Sequence, residues 1–172
     1  MRTARLLFSP WSESDWLLLK PIATDPEVMR YISDGQPWPD ERIQEFVNRQ
    51  IACLRRHGFC MWRLLEPETS QMIGFCGLQP LADTPEFEIG WWLARSHWGR
   101  GLATEAAHAV LRDGFDRAGL KRIVAIAQPA NRASLRVMEK LGMHYEGDTQ
   151  HKGIAVVLHA IHTPELPMSS GT

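Results

Sequence analysis

The spacing of apolar positions switches along the chain from helix-like to strand-like and back. Residues 5–9 form an apolar run stopped by Pro10 and read as a first strand. A helix is predicted from Ser12, with Asp15 as a partial capping signal and Leu17, Leu18 and Leu19 as its apolar face. Asp25 and Pro26 pair an N-cap residue with a proline at the first helical position, so a second, short helix carries Met29 and Ile32. Residues 33–39 hold one glycine and two prolines and read as a loop. Asp40 opens a third helix, with Ile43, Phe46, Val47, Ile51 and Leu54 at helical spacing and Gly58 as its end.

From Phe59 the pattern becomes that of strands, at 59–65 and 71–78 around a turn at 66–70, then at 87–93 after a loop at 82–85. A helix over 101–117 buries Ala103, Ala106, Val110 and Phe115, and Gly119 stops it. A short apolar strand at 123–126 leads to a helix capped by Asn131, with Leu135, Met138 and Leu141 turned inward and Gly142 as the stop. Two last strands, at 143–147 and 153–161, read as a hairpin. The order β-α-α-α-β-β-β-α-β-α-β-β predicts a mixed α/β layer fold. One domain is expected over 1–162, followed by a flexible C-terminal tail at 163–172 that is rich in proline and serine.

Composition narrows the class. A chain of 172 residues, 44% hydrophobic and 23% charged, can bury the core of one soluble domain. A net charge of −1 argues against nucleic acid as a partner. Cys53, Cys60 and Cys76 form no C-x-x-C pair and leave an odd thiol, which fits the reducing cytoplasm. No apolar run reaches membrane-spanning length and no signal peptide is evident, so no membrane partner is expected. The seven histidines show no metal-ligand spacing, and no metal is expected; His159 and His162, three apart, lack a supporting carboxylate or cysteine motif.

The candidate chemistry concentrates in residues 86–107, EFEIGWWLARSHWGRGLATEAA. A strand, a short polar loop and a helix start follow one another, and positions 99, 101 and 103 carry only small residues. The unpaired N–H groups of a glycine-lined helix start suit an anion, above all phosphate. A dinucleotide fingerprint fits poorly: its third glycine would fall on Thr104, five residues (94–98) separate strand from glycines, and the strand at 123–127 is followed by Gln128 instead of an acid. No G-K-[ST] is present, which excludes a P-loop.

Five segments in order, TARLLFSPWSESD, DPEVMRYI, MIGFCGL, EIGWWLARSHWGRGLATEA and NRASLRVMEKLGMHYEG, together resemble the GNAT acetyltransferase superfamily, and within it the RimJ/RimL-like branch of ribosomal-protein-type N-acetyltransferases. The resemblance implies a mixed, mostly antiparallel central sheet, splayed around an acetyl-CoA site, with helices on both faces. It also implies acetyl transfer to an amine acceptor, a protein N-terminus or a small molecule. A homodimer is left open. The family pattern Q/R-x-x-G-x-G/A falls on Trp98, Gly101 and Ala103, with Trp98 a departure from Gln or Arg. Gly99, Arg100 and Thr104 join the expected cofactor contacts, as do Trp91 and Leu93 on the strand.

By the same resemblance, Glu88 lies where family members place a general base. It could equally bind a cationic substrate or pair with an arginine, as could Glu86 two residues earlier, which is assigned to substrate binding. Asn131 caps its helix and borders the expected pantetheine arm. The tyrosine acid of many family members is replaced by Met138. In RimL-like proteins a serine matching Ser134 can take that place, so the resemblance makes Ser134, expected beside the cofactor, the candidate for protonating the departing thiolate, with Tyr145 as the fallback; for Ser134 the bland alternative is a small residue that admits coenzyme A. Trp38, held between Pro37 and Pro39, is expected to border the acceptor cleft or else to close the core. The oxyanion would be met by a backbone N–H near residues 89–91, and amine attack would occur directly in a ternary complex. A non-catalytic acyl-CoA-binding or partner-binding domain is the competing reading.

Overall fold

The computed structural model describes residues 1–163, so the predicted tail lies, from 164 onward, outside the described residues. The chain runs β1 (Leu7–Ser9), α1 (Trp16–Ala23), α2 (Pro26–Met29), α3 (Asp40–His57), β2 (Met61–Leu65), β3 (Met72–Pro80), β4 (Phe87–Leu93), α4 (Leu102–Asp116), β5 (Arg122–Ala127), α5 (Arg132–Lys140), β6 (His144–His151) and β7 (Ile154–His162), with 3₁₀ turns at Glu13–Asp15 and Arg95–His97. This is the predicted order of elements. One seven-stranded sheet has the order β1-β2-β3-β4-β5-β7-β6, antiparallel throughout except for β4 beside β5.

The two faces of the sheet follow from the alternation of side chains along a strand. Ile89 and Leu93 of β4, with Cys76 and Leu78 of β3, point to a core that α4 closes with Leu102, Ala106, Ala107, Val110 and Leu111 and α5 with Met138. Phe75 of β3 and Trp92 of β4 point the other way, against Ile43, Phe46 and Val47 of α3 and Leu19 and Ile22 of α1. Two glycines make the close approaches possible. A Cβ on Gly77 would sit 1.9 Å from the Cys60 carbonyl oxygen, and one on Gly114 would meet Leu78 and Ile123 at 2.8 and 2.9 Å.

Several details depart from the sequence reading, among them that α2 ends at Met29 and leaves Ile32 beyond it. The first helix begins at Trp16, after a 3₁₀ turn whose Asp15 carboxylate accepts from the Ser12 N–H at 2.6 Å. At about 3.6 residues per turn, three consecutive leucines cannot share one face. Leu19 is buried with Ile22 and Ala23, whereas Leu17 and Leu18 are 57% and 49% exposed. The final hairpin is also longer than predicted: β6 continues through Asp148, Thr149 and Gln150 to His151, an exposed polar edge held by backbone pairing to β7. Within the described residues no helix is long and apolar enough to cross a membrane.

Candidate active site

β4 and β5 run parallel yet share one register pair, Glu88 with Val124. Beyond it the strands part. β4 stays paired to β3 along its whole length, from Phe87 opposite Pro80 to Leu93 opposite Gly74, and β5 stays paired to β7. The parting opens a cleft of about 310 Å³. Glu88 and Trp91 line it from β4, Ile126 and Ala127 from β5, Asn131 and Ser134 from the start of α5, and Trp38 from the loop before α3.

At the far end of β4 the chain makes a 3₁₀ turn and enters α4 through two glycines in the left-handed region, Gly99 at φ +71° and Gly101 at φ +75°. Such angles are strained for any residue with a Cβ. Gly101 is the N-cap of α4 and supplies no side-chain acceptor, so the first-turn N–H groups of Leu102, Ala103 and Thr104 have no cap. Among the described residues the N–H groups of Gly99, Arg100 and Gly101 find no backbone acceptor either. The loop is braced from behind. Arg5 donates through Nη1 to the Arg100 carbonyl at 2.8 Å and pairs with Glu105 at 2.6 Å, and Glu105 also accepts from the Thr3 hydroxyl at 2.6 Å. The Trp98 indole N–H donates to the Leu93 carbonyl at 2.9 Å, which ties the loop to the end of β4. The Arg100 side chain forms no ion pair within 4 Å among the described residues, although its charge acts on Glu66 and helps to lower that carboxyl's pKa. Leu93 is buried and Thr104 and Ala103 half-buried; they and the glycine loop lie outside the residues lining the cleft.

Glu88 is half-buried and accepts a 2.7 Å hydrogen bond at Oε1 from the Gln79 side-chain amide, its direct neighbour across the β3–β4 pair. Burial raises its pKa above the ordinary carboxylate value; the Gln79 hydrogen bond and the charge of Lys152 oppose that rise. Glu86 lies just before β4 and outside the cleft lining, and it pairs with Arg122 at 3.1 Å, the arginine alternative of the sequence reading. Arg122 in turn grips Glu146 of β6 with two 2.6 Å bonds.

Asn131 caps α5, its Oδ1 accepting from the Ser134 backbone N–H at 3.2 Å. The Ser134 hydroxyl has no protein partner among the described residues and borders the cleft. Met138, at the position of the missing tyrosine, is 1% exposed and also borders the cleft. Tyr145 is 58% exposed, donates to Asp148 at 2.9 Å and lies outside the cleft lining, so the fold sets the fallback acid apart from the other candidates. Trp38 is buried at 8% exposure instead of being displayed on its loop. It closes the core against Trp92 at 4.7 Å and Phe46 at 5.8 Å and also lines the cleft, with Arg42 4.6 Å over its ring.

Sequence reasoning missed the Arg5–Glu105 brace and the glutamines behind Glu88. Gln50 of α3 carried a signal: it is a polar residue on the face that also carries Ile43, Phe46 and Val47 and is 1% exposed.

Residues 5–144 match the family described as an acetyltransferase (GNAT) domain. The uncharacterized protein YkkB of Bacillus subtilis (strain 168) is 39% identical over 127 residues, 72% of each chain. The uncharacterized N-acetyltransferase YnaD of the same organism is 32% identical over 145 residues, 84% of this chain and 82% of the relative. The crystal structure of the acetyltransferase from Agrobacterium tumefaciens str. C58 superposes with a TM-score of 0.83 at 27% identity, over 95% of this chain and 94% of that one.

Proposed function

Because the chain belongs to the GNAT acetyltransferase family, we propose that it moves the acetyl group of acetyl-CoA to a primary amine, of a protein N-terminus or a small molecule, by direct attack in a ternary complex. The observation that carries this reading is the parting of β4 from β5 at Glu88, with the glycine loop at the far end of β4. The family's use of acetyl-CoA supports that molecule as donor. The unpaired N–H groups at 99–101 and the open first turn of α4 suit its pyrophosphate, with Arg100 as a cationic supplement. Trp91, Leu93, Trp98, Ala103, Thr104, Asn131 and Ser134 complete the proposed cofactor set. The motif order favours the RimJ/RimL-like branch, and the buried thiols Cys60 and Cys76 suit a reducing cytoplasm.

In the proposed reaction Glu88, whose carboxyl retains its proton to a higher pH than an exposed one, takes a proton from the ammonium directly or through water. The neutral amine then attacks the thioester carbonyl. Unpaired edge N–H groups of β4 beyond Glu88 stabilise the oxyanion. The C–S bond breaks, the free Ser134 hydroxyl protonates the thiolate, and the second proton shed by the amine nitrogen as it becomes an amide restores that hydroxyl. Trp38 lies on the acceptor side.

Mixing the protein with acetyl-CoA and a panel of amines, while following free thiol and acetylated product, tests this reading. Thiol release that depends on one class of amine, with one product per thiol, is expected. Release independent of every amine, or none despite thermal stabilisation by acetyl-CoA, would overturn it.

A further inference from the structure

We propose that Gln79 and Gln50 are positioning residues: they form a one-way amide relay that runs from the backbone of β2 to Glu88 and holds its carboxylate at the cleft. The inference rests on the reading of Glu88 as the base.

The relay has three links. The Met61 backbone N–H donates to Gln50 Oε1 at 3.0 Å, the Gln50 Nε2 donates to Gln79 Oε1 at 2.9 Å, and the Gln79 Nε2 donates to Glu88 Oε1 at 2.7 Å. Its direction follows from the two ends. A backbone N–H can only donate, so the Gln50 oxygen must face Met61 and its NH₂ must face Gln79. The Gln79 oxygen then accepts, and its NH₂ is turned toward Glu88, where an ionised carboxylate can only accept. Neither amide can flip without placing two donors or two acceptors against each other. Gln50 is 1% exposed and Met61 3% exposed, so water does not readily replace the first link, while the two links through Gln79 are part-buried.

The placement is built into the fold. Gln79 and Glu88 are direct partners in the β3–β4 register, and Glu88 is at the same time the pairing point with β5. One carboxylate oxygen is thus occupied, and the other is left to accept the proton of the amine. The chain of three donors favours the ionised carboxylate, in opposition to its burial. The charged and titratable groups lining the two pockets that Glu88 borders are Tyr31 after α2, Arg42, Glu45 and Arg49 of α3 on the cleft side, Cys53, Arg56 and His57 further along α3, and His151 and Lys152 at the β6–β7 turn. Of these, Lys152 acts in the same sense as the relay.

Substituting Gln79→Met keeps the length of the side chain and removes the last donor. The carboxyl carbon of Glu88 is followed by NMR in protein labelled with ¹³C-glutamate and assigned by its loss in Glu88→Gln. The midpoint of its titration should move up by half a unit or more in Gln79→Met. The smaller change Gln50→Met, which leaves Gln79 free to turn, should move it in the same direction by less. The acid limb of the pH profile of kcat/KM should follow, while the acetyl-CoA KM stays within twofold. An unmoved titration in both variants would overturn the relay. A moved titration, together with full activity of Glu88→Gln, would keep the relay and remove the base assignment instead.

Discussion

Glu88 lies directly across from Val124, and this is the register pair through which β4 and β5 are joined. The side chain at a parting of two strands sits where the sheet can no longer bury it and where no backbone partner fills the space beyond. A carboxylate there is desolvated by the strands behind it and still reachable from the cleft in front. The proposed catalytic role of Glu88 and its raised pKa therefore share one structural cause.

Substituting Glu88→Gln should lower kcat/KM by roughly 10²-fold, the lower end of what a positioned base contributes. The loss should be greater for lysine-like acceptors, with a reference pKa near 10.4, than for α-amines near 8. Acetyl-CoA binding, measured by calorimetry, should stay within twofold. An unchanged rate would leave Glu88 with a purely structural place at the vertex.

The same substitution should make the protein more stable at neutral pH. The folded-state pKa of Glu88 is raised, so the fold binds this proton more tightly than the unfolded chain. Protonation thus favours the fold: the favourable contribution is complete below the unfolded value of about 4.3 and is lost as pH rises through the folded one. Glu88→Gln, which carries no charge at any pH, should melt higher than the parent at pH 7.5. Its advantage should shrink as the pH falls toward 4. Equal melting temperatures at both pH values would contradict this.

Gly101→Val tests the glycine loop by backbone strain. An added Cβ would find only the Arg5 Nη2, at 3.7 Å, so there is room, yet φ +75° is costly for a β-branched residue. A stability loss of about 1–3 kcal/mol is expected. Relief of the strain would turn the loop N–H groups, and affinity for acetyl-CoA in titration calorimetry should fall at least about tenfold, the equivalent of roughly 1.4 kcal/mol. A stability loss with unchanged affinity would place the pyrophosphate elsewhere.

Asn131 and Ser134 separate structure from chemistry within one turn. The cap bond uses the Asn131 side chain and the Ser134 backbone N–H. Asn131→Ala should therefore cost about 1 kcal/mol of stability, visible as a lower Tm. Ser134→Ala leaves the cap intact and should lower kcat with little change in Tm. If Ser134→Ala turns over at the parental rate, water or the amine-derived proton serves the thiolate.

Much of this arrangement was legible in the sequence, because local chemistry wrote it there. The strand-like run over 87–93 matches the bounds of β4, and the Asp25–Pro26 and Asn131 signals match two helix starts. Where several interactions compete, the pattern was silent. The three leucines at 17–19 look alike in sequence, and only the contact with the α3 side of the sheet selects Leu19. The polar residues of β6 show no apolar alternation, since an edge strand is held by its backbone ladder. Gln50 and Gln79 are 29 residues apart and meet only because α3 packs across β3; no spacing rule could have joined them to Glu88.

Trp38 offers the test of the acceptor side. Its backbone N–H is fixed to the Ala23 carbonyl at 2.9 Å, and its ring is held between Trp92 and Arg42, but its buried indole N–H has no partner among the described residues. A buried donor without a partner costs about 1–3 kcal/mol, so a bound acceptor with an oxygen to offer would recover part of that. Trp38→Phe keeps an aromatic ring in the cluster and removes the donor. The acceptor KM should rise several-fold while the acetyl-CoA KM is unchanged, and Tm should not fall by more than the loss of one ring's packing. Equal acceptor KM values in the two proteins would assign Trp38 to the core alone and move the acceptor toward Arg42 and Arg49.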